Sequence, residues 1–384
     1  MSELIQYFQS QKQQMVDLLT TLVGFETPTT DKAMVDKMGA YMEAQFRDLG
    51  ASSVTRYGLT AVGDCLLAKW NEDAPGKPIM FLIHIDTVWP LGTLAQRPVH
   101  IDEEGRLFGP GAIDMKGGIT IVLSALRALK ERGEMPQRPI WVLMTSDEEV
   151  GSVHSKAALM ETAAQAGLVL VMEPATIDEE LKTMRKGVST YRVDITGLPS
   201  HAGNAPEKGI NSIIEMAQQA MKIHSWNDLR NGTSVSVTMV NGGTATNVIP
   251  EHCSFHVDVR TVAVAAWKDI DAKLRSLPDA PFVPGAKLVV TQTNGHQPME
   301  RNATMQKTYA QCEAIGTKYG LVVTQGSSGG GSDGNTVAAM GIPVLDGLGP
   351  QGDGLHALHE HVVLNSLPRR ATLMAAMLKE WQFD

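Results

Sequence analysis

The chain has 384 residues, a hydrophobic fraction of 43% and a formal net charge of −9. That length and composition suit two domains, or one large α/β unit, around a sizeable core. The acidic balance, with no basic cluster, argues against a nucleic-acid surface, and no apolar run reaches the roughly 18 residues needed to span a membrane.

The cysteines, Cys65, Cys253 and Cys312, are far apart and odd in number. They point to a reducing, cytoplasmic setting without a disulfide framework or a thiolate metal site. Any metal must then be held by His and carboxylates. No apolar signal core opens the chain. Residues 1–23 read instead as a helix, with Leu4, Ile5, Phe8, Met15, Leu18, Leu19 and Leu22 at mostly helical spacing. A loop at residues 28–31 caps a second helix that carries Met34, Val35, Met38, Tyr41, Met42 and Phe46 and ends near Gly50. Short strands follow at residues 53–57 and 64–70.

The apolar run at residues 78–83 reads as a buried strand that delivers His84 and Asp86. Side chains alternate along a strand, so both point to the same side. A carboxylate so placed can take one imidazole N–H and leave the other ring nitrogen for a metal. The Gly-rich loop 108–118 holds Asp114 and leads into a helix over 119–132. A strand at 140–145 runs into Asp147, Glu148 and Glu149, a helix covers 152–165, and a strand at 168–172 ends in Glu173. This alternation predicts an α/β fold with a mostly parallel sheet, its candidate ligands at the carboxyl ends of the strands.

The pattern changes over residues 182–293. Strand 182–197, helix 207–225, strands 233–240 and 245–259, helix 264–277 and strand 287–293 give the order of a ferredoxin-like α+β unit. It is placed as an insertion, residues 181–295, within a catalytic domain of residues 1–180 and 296–384. The βα pattern then resumes with a helix to residue 319, a strand at 321–325, a helix at 335–340, a strand at 342–345 and a last helix at 367–381.

The candidate groups share one chemistry. Asp114 sits where glycines let the backbone bend sharply. Glu148 and Glu149 are neighbours that point different ways, so one can bind metal while the other faces substrate. Glu173 closes an apolar strand, an odd place for a charge unless something binds it. His356 stands in a local cluster with His359 and His361. Two His and three carboxylates without thiolate suit a pair of zinc or similar ions, with Asp114 as the bridging candidate. A hydroxide between the metals would be the nucleophile and a free carboxylate the general base.

With these residues assembled, the chain resembles the M20 metallopeptidase family, of the glutamate carboxypeptidase type. The matching segments are HIDTV, GPGAIDMKGG, SDEEVGS, MEP, GLPSHAGNAPEKGINSI, TNVIPEHCSFHVDVR, SSGGGSDGN and GLHALHE, in family order over nearly the whole chain. The resemblance implies a zinc-peptidase fold with an inserted ferredoxin-like dimerisation domain, hence a homodimer. It also implies hydrolysis of a small peptide or N-acyl amino acid beside its C-terminal residue. His84, Asp114, Glu149, Glu173 and His356 resemble the ligands of two zinc ions, for which cobalt or manganese can substitute. Glu148 resembles the general base, and Asp86 the partner of His84. His201 resembles a residue that reaches the partner subunit's site to stabilise the oxyanion. Asn247, Arg260, Gly329, Gly330 and Gly331 resemble contacts to the substrate carboxylate or oxyanion.

There are three departures. Met115 stands where that type has a second Asp. The His segment is short and carries His359 and His361, and the spacing to Glu360 favours His356 as the ligand. His296 or Gln297 stands where that type has an arginine, so a preference for glutamate is not implied. A deacylase of the acetylornithine or succinyl-diaminopimelate type is the rival enzyme, and a non-catalytic metal-binding relic the rival class. Residues 326–330 also fit G-x-S-x-G, and residues 329–334 fit G-x-G-x-x-G. A glycine-rich loop that offers N–H groups to a carboxylate accounts for both.

Overall fold

The computed structural model describes residues 2–383, and the expected helix start at Met1 lies outside them. The chain divides into two compact units, one of Met1–Thr183, Arg301–Ser328 and Ser332–Asp384, the other of Met184–Glu300 with Gly329–Gly331.

The first unit is built on a six-stranded sheet in the order Ser53–Tyr57, Cys65–Trp70, Ile140–Thr145, Ile79–His84, Leu168–Val171, Val344–Leu345. The last four of these run parallel, while the two at the other edge pair antiparallel. The inner strands are buried at every position, as a sheet covered on both faces requires. Each buried Leu, Ile or Val contributes about 1.5–3 kcal/mol. Helix Gly117–Glu131 packs against helices Lys12–Val23 and Ser366–Glu380. Its start presses on a strand end: a Cβ on Gly118 would lie 2.1 Å from the Met172 carbonyl oxygen, so only glycine fits.

The second unit is a four-stranded antiparallel sheet in the order Ser234–Gly242, His252–Thr261, Gly187–Thr196, Lys287–His296, with helices Ser212–His224 and Val264–Arg275 between strands in sequence. Its core joins Tyr191, Val193, Phe255, Val257 and Ile270. The element order and the strand order are those of a ferredoxin-like unit.

Several local expectations differ. The helix expected over 1–23 is two, Glu3–Ser10 and Lys12–Val23, which part at Gln11. No Gly or Pro stands there. Both segments pack on Ser366–Glu380, and the second packs on Gly117–Glu131 as well. The helix expected from 152 starts at Lys156, because Ser152 turns at φ +53 and donates its hydroxyl to Asp333. The strand expected at 321–325 lies at Gln325–Ser328. Leu321 and Val323 are buried while Val322 is 92% exposed, so the alternation reflects packing without a strand ladder.

Candidate metal centre

Strand register assembles the centre. In the parallel pairs His84 lies beside Thr145 and Leu82 beside Val171. Two residues further along the second pair, Glu173 falls level with His84. Glu148 and Glu149 begin a 3-10 turn just after Thr145. Asp114 sits in the turn Ala112–Lys116. His356 enters from the loop between the short strands Gly352–Asp353 and His361–Val363.

The ligand atoms form two groups, each within 4.8 Å: His84, Glu148 and Glu173, and Asp114, Glu149 and His356. Asp114 links them. Its Oδ1 is 3.2 Å from His84 Nε2 and its Oδ2 is 3.4 Å from His356 Nε2. His84 Nε2 is also 3.4 Å from Glu173 Oε1, and His356 Nε2 is 3.0 Å from Glu149 Oε2. On its far side the His84 ring presents Nδ1 to Asp86 Oδ1 at 3.3 Å. Asp86 is fully buried and braces more than that ring. It accepts the backbone N–H groups of Glu148 and Glu149, each at 3.2 Å, and the Thr29 hydroxyl at 2.8 Å. His361 turns away and packs its ring on Phe108, which leaves His356 as the histidine of that segment in the cluster.

So many carboxylates in so little water need compensating charge. Burial alone would raise the Asp114 carboxyl, but hydrogen bonds with His356 and His84 outweigh it and hold it well below the usual range. Burial and then the charge of Glu173 push Glu148 well above the ordinary glutamate value. Burial raises Glu149 to about 7 against the pull of His356. Bonds to Asp114 and Glu149 raise His356 to about 10. Glu149 Oε1 is buried and has no hydrogen-bond partner among the described residues. An orphaned carboxylate oxygen beside a carboxylate shared by two imidazoles fits divalent cations, which would supply the compensating charge.

The comparisons with known proteins agree with this geometry. Residues 80–380 match the model of peptidase family M20/M25/M40. The chain belongs to that family. Carboxypeptidase G2 from Pseudomonas sp. (strain RS-16) is 32% identical over 375 residues, which cover 95% of this chain and 89% of that protein. A succinyl-diaminopimelate desuccinylase from Delftia acidovorans is 27% identical over 338 residues, 83% of this chain and 85% of that one. Among solved structures, the aminopeptidase PepT from Bacillus cereus superposes with a TM-score of 0.76 at 22% identity, over 96% of this chain and 98% of that one. This M20/M25/M40 enzyme therefore shares the fold of a solved peptidase along nearly its whole length.

The remaining expected residues of this family member lie in its second unit. His201 and Asn247 come together there: Ser200–His201 pairs with Val248–Ile249, and Ala202 N–H donates to the Asn247 carbonyl. His201 Nδ1 accepts the N–H groups of Gly203 and Asn204 at 3.1 and 3.0 Å. That fixes the tautomer, so Nε2 carries the proton as a donor. Arg260 is engaged locally, with Nε and Nη2 each 2.9 Å from an Asp258 oxygen. Arg185 Nη1 donates to the carbonyls of Gly330 and Gly331, which steadies the glycine loop. Met115, the departure beside Asp114, is buried and its sulfur accepts the His84 backbone N–H.

Two groups around the centre are given no role in the sequence reading. Asp333 is buried, bonded to the hydroxyls of Ser152 and Thr145, and raised by burial to about 6. Glu360 holds the Asp114 turn through its backbone N–H groups. Both stand in matched segments, but only tertiary contact reveals what they do.

Proposed function

We propose that the chain is a di-metal carboxypeptidase that cleaves the amide bond next to the C-terminal amino acid of a small peptide or N-acyl amino acid. His84, Asp114, Glu149, Glu173 and His356 would hold two zinc ions, or cobalt or manganese in their place. The observation that carries this reading is Asp114, whose two oxygens face two different histidines. A bridging carboxylate needs that arrangement. When bound, such an ion pair polarises the scissile carbonyl and acidifies the attacking water.

Glu148 is left to move the proton. Its carboxyl is raised by burial and by Glu173, and its backbone is pinned on Asp86. It takes the proton of the attacking water and passes it to the leaving amine. Asp86 fixes the ring of His84 through Nδ1 and so aims Nε2 at Asp114 and Glu173.

The second unit supplies recognition and dimerisation in this proposal. The Ser234–Gly242 strand is a sheet edge that leaves Met239 65% and Val240 60% exposed, and helix Ser212–His224 leaves Ile214 50% and Met221 70% exposed. Apolar edges of this kind favour a second copy. His201, its Nε2–H free to donate, serves the partner subunit's site as an oxyanion donor, with Asn247 beside it. Arg260 keeps Nη1 for the substrate carboxylate, which the N–H groups of Gly329, Gly330 and Gly331 also receive. The buried thiols Cys65, Cys253 and Cys312 fit a cytoplasmic setting. The desuccinylase relative, and the missing arginine near His296, favour N-acyl amino acid deacylation as the second reading.

The test is metal content together with hydrolysis of dipeptides, their C-terminal amides and N-acyl amino acids. Two ions per chain and a strong preference for the free carboxylate are expected. Equal kcat/KM for acid and amide removes the carboxypeptidase reading, and a fully active preparation with less than one ion per chain removes the metal pair.

A further inference from the structure

Glu360 closes the GLHALHE segment, and the chemistry above gives it no task. It is 0% exposed, which is unusual for a carboxylate. Its side chain is saturated with donors. Oε1 accepts the N–H groups of Ile113 at 3.0 Å and Asp114 at 3.3 Å. Oε2 accepts the N–H of Gly111 at 2.9 Å and Trp89 Nε1 at 2.6 Å. Apart from Trp89, every donor lies on the turn that carries Asp114.

The backbone of Glu360 belongs to the other half of the centre. Its N–H donates to the Ala357 carbonyl at 3.0 Å, and Ala357 N–H donates to the Gly354 carbonyl at 2.8 Å. These bonds close the turn in which His356 takes φ +59, a conformation that side chains seldom adopt. Gly354, at φ +80, passes so near that a Cβ there would lie 2.7 Å from Glu360 N. Trp89 is braced in turn. The Arg97 guanidinium lies 4.5 Å over its ring and donates Nη2 to the Leu358 carbonyl at 2.5 Å.

We propose that Glu360 is a positioning residue that sets Asp114 against His356, gripping the Asp114 turn with its carboxylate and closing the His356 turn with its backbone. The 3.4 Å separation of Asp114 Oδ2 and His356 Nε2 is the distance these two grips define. Only a carboxylate of this length serves. A glutamine would turn its NH₂ toward one pair of N–H donors and leave them without an acceptor. An aspartate falls one methylene short.

The proposal rests on the metal-pair reading, and the test separates the two. Wild type, Glu360→Gln and Trp89→Phe are loaded with Zn²⁺ and dialysed against graded chelator. Metal content, the Tm of the metal-free protein, and kcat and KM are then measured. Glu360→Gln is expected to hold its ions about 10- to 100-fold more weakly, as a lost outer-sphere partner does. Its kcat should fall with KM unchanged, because the substrate contacts are untouched. Trp89→Phe should shift ion retention the same way, by less. If Glu360→Gln keeps its ions at wild-type chelator concentrations while its metal-free Tm drops, Glu360 is a structural staple and the proposal is overturned. If that variant does not fold, Trp89→Phe decides, and unchanged ion retention overturns the proposal. Wild type that holds less than one ion per chain rejects both readings. Wild type and variants that hold two ions equally well reject only the positioning role.

Discussion

The two units present their candidate groups in opposite ways. In the first, His84 and Asp86 are buried, Asp114 touches two histidines, and the backbone after Thr145 is tied to Asp86. In the second, His201 and Asn247 are exposed, and Arg260 is half-buried against its own neighbour Asp258. Charged groups that lose water must receive partners from the fold, so their geometry is set before any ligand arrives. Exposed groups keep their water and gain a fixed partner only when a substrate or a second copy binds. Substitutions in the first unit should therefore act on metal retention and proton transfer, and those in the second on contacts made only in the complex: the oxyanion, the substrate carboxylate and assembly.

The largest effect should come from Asp114→Asn. An amide cannot bridge two cations as a carboxylate does, so elemental analysis should show both ions lost and activity should fall to background. Retention of one ion at full occupancy would show that Asp114 serves a single group. Next is Glu148→Gln, which should keep the metals and lower kcat by about 10²- to 10⁴-fold, the usual range for a lost acid–base group. Wild-type turnover in that variant would move the base elsewhere, whereas loss of an ion would place Glu148 among the ligands, as its proximity to His84 and Glu173 allows.

His201→Ala should cost about 10²- to 10³-fold in kcat, the range for a lost oxyanion donor. Mixed with Glu148→Gln chains it should regain part of the activity, since a heterodimer contains one intact site. No recovery on mixing, or full activity from monomers in light scattering, would place His201 outside any partner's site. The smallest effect is expected at Arg260. Arg260→Gln should raise KM by an amount equivalent to about 1.5–3 kcal/mol, the cost of hydrogen bonds to a charged group, with kcat little changed. An unchanged KM with a lower Tm would mean that the Asp258 pair is the whole role of Arg260.

Much of the centre was legible because its groups follow strong local signals. Apolar runs marked the strands, and in a parallel sheet the carboxyl ends of such strands converge, which draws together His84, Glu148 and Glu173. The ferredoxin-like order was legible from its alternating strands and intervening helices. What escaped was set by contacts distant in sequence. The break at Gln11 has no Gly or Pro to announce it, and the alternation at Leu321 to Val323 arises from packing without a ladder. Glu360 could serve only as a spacing mark for His356, because its donors lie some 246 to 271 residues away.

By itself the sequence determined much of the chemistry: most of the strands of the first sheet, and which carboxylates and imidazoles follow them. Those properties are local, fixed by side-chain period and residue type. The tertiary structure decided the geometry: that Asp114 divides its oxygens between His84 and His356, that His361 stacks on Phe108 instead, and that Arg260 is already met by Asp258. The physical reason is that a hydrogen bond is a matter of a few tenths of an ångström and of angle. Such tolerances are set only when the sheet register and the packed turns are in place.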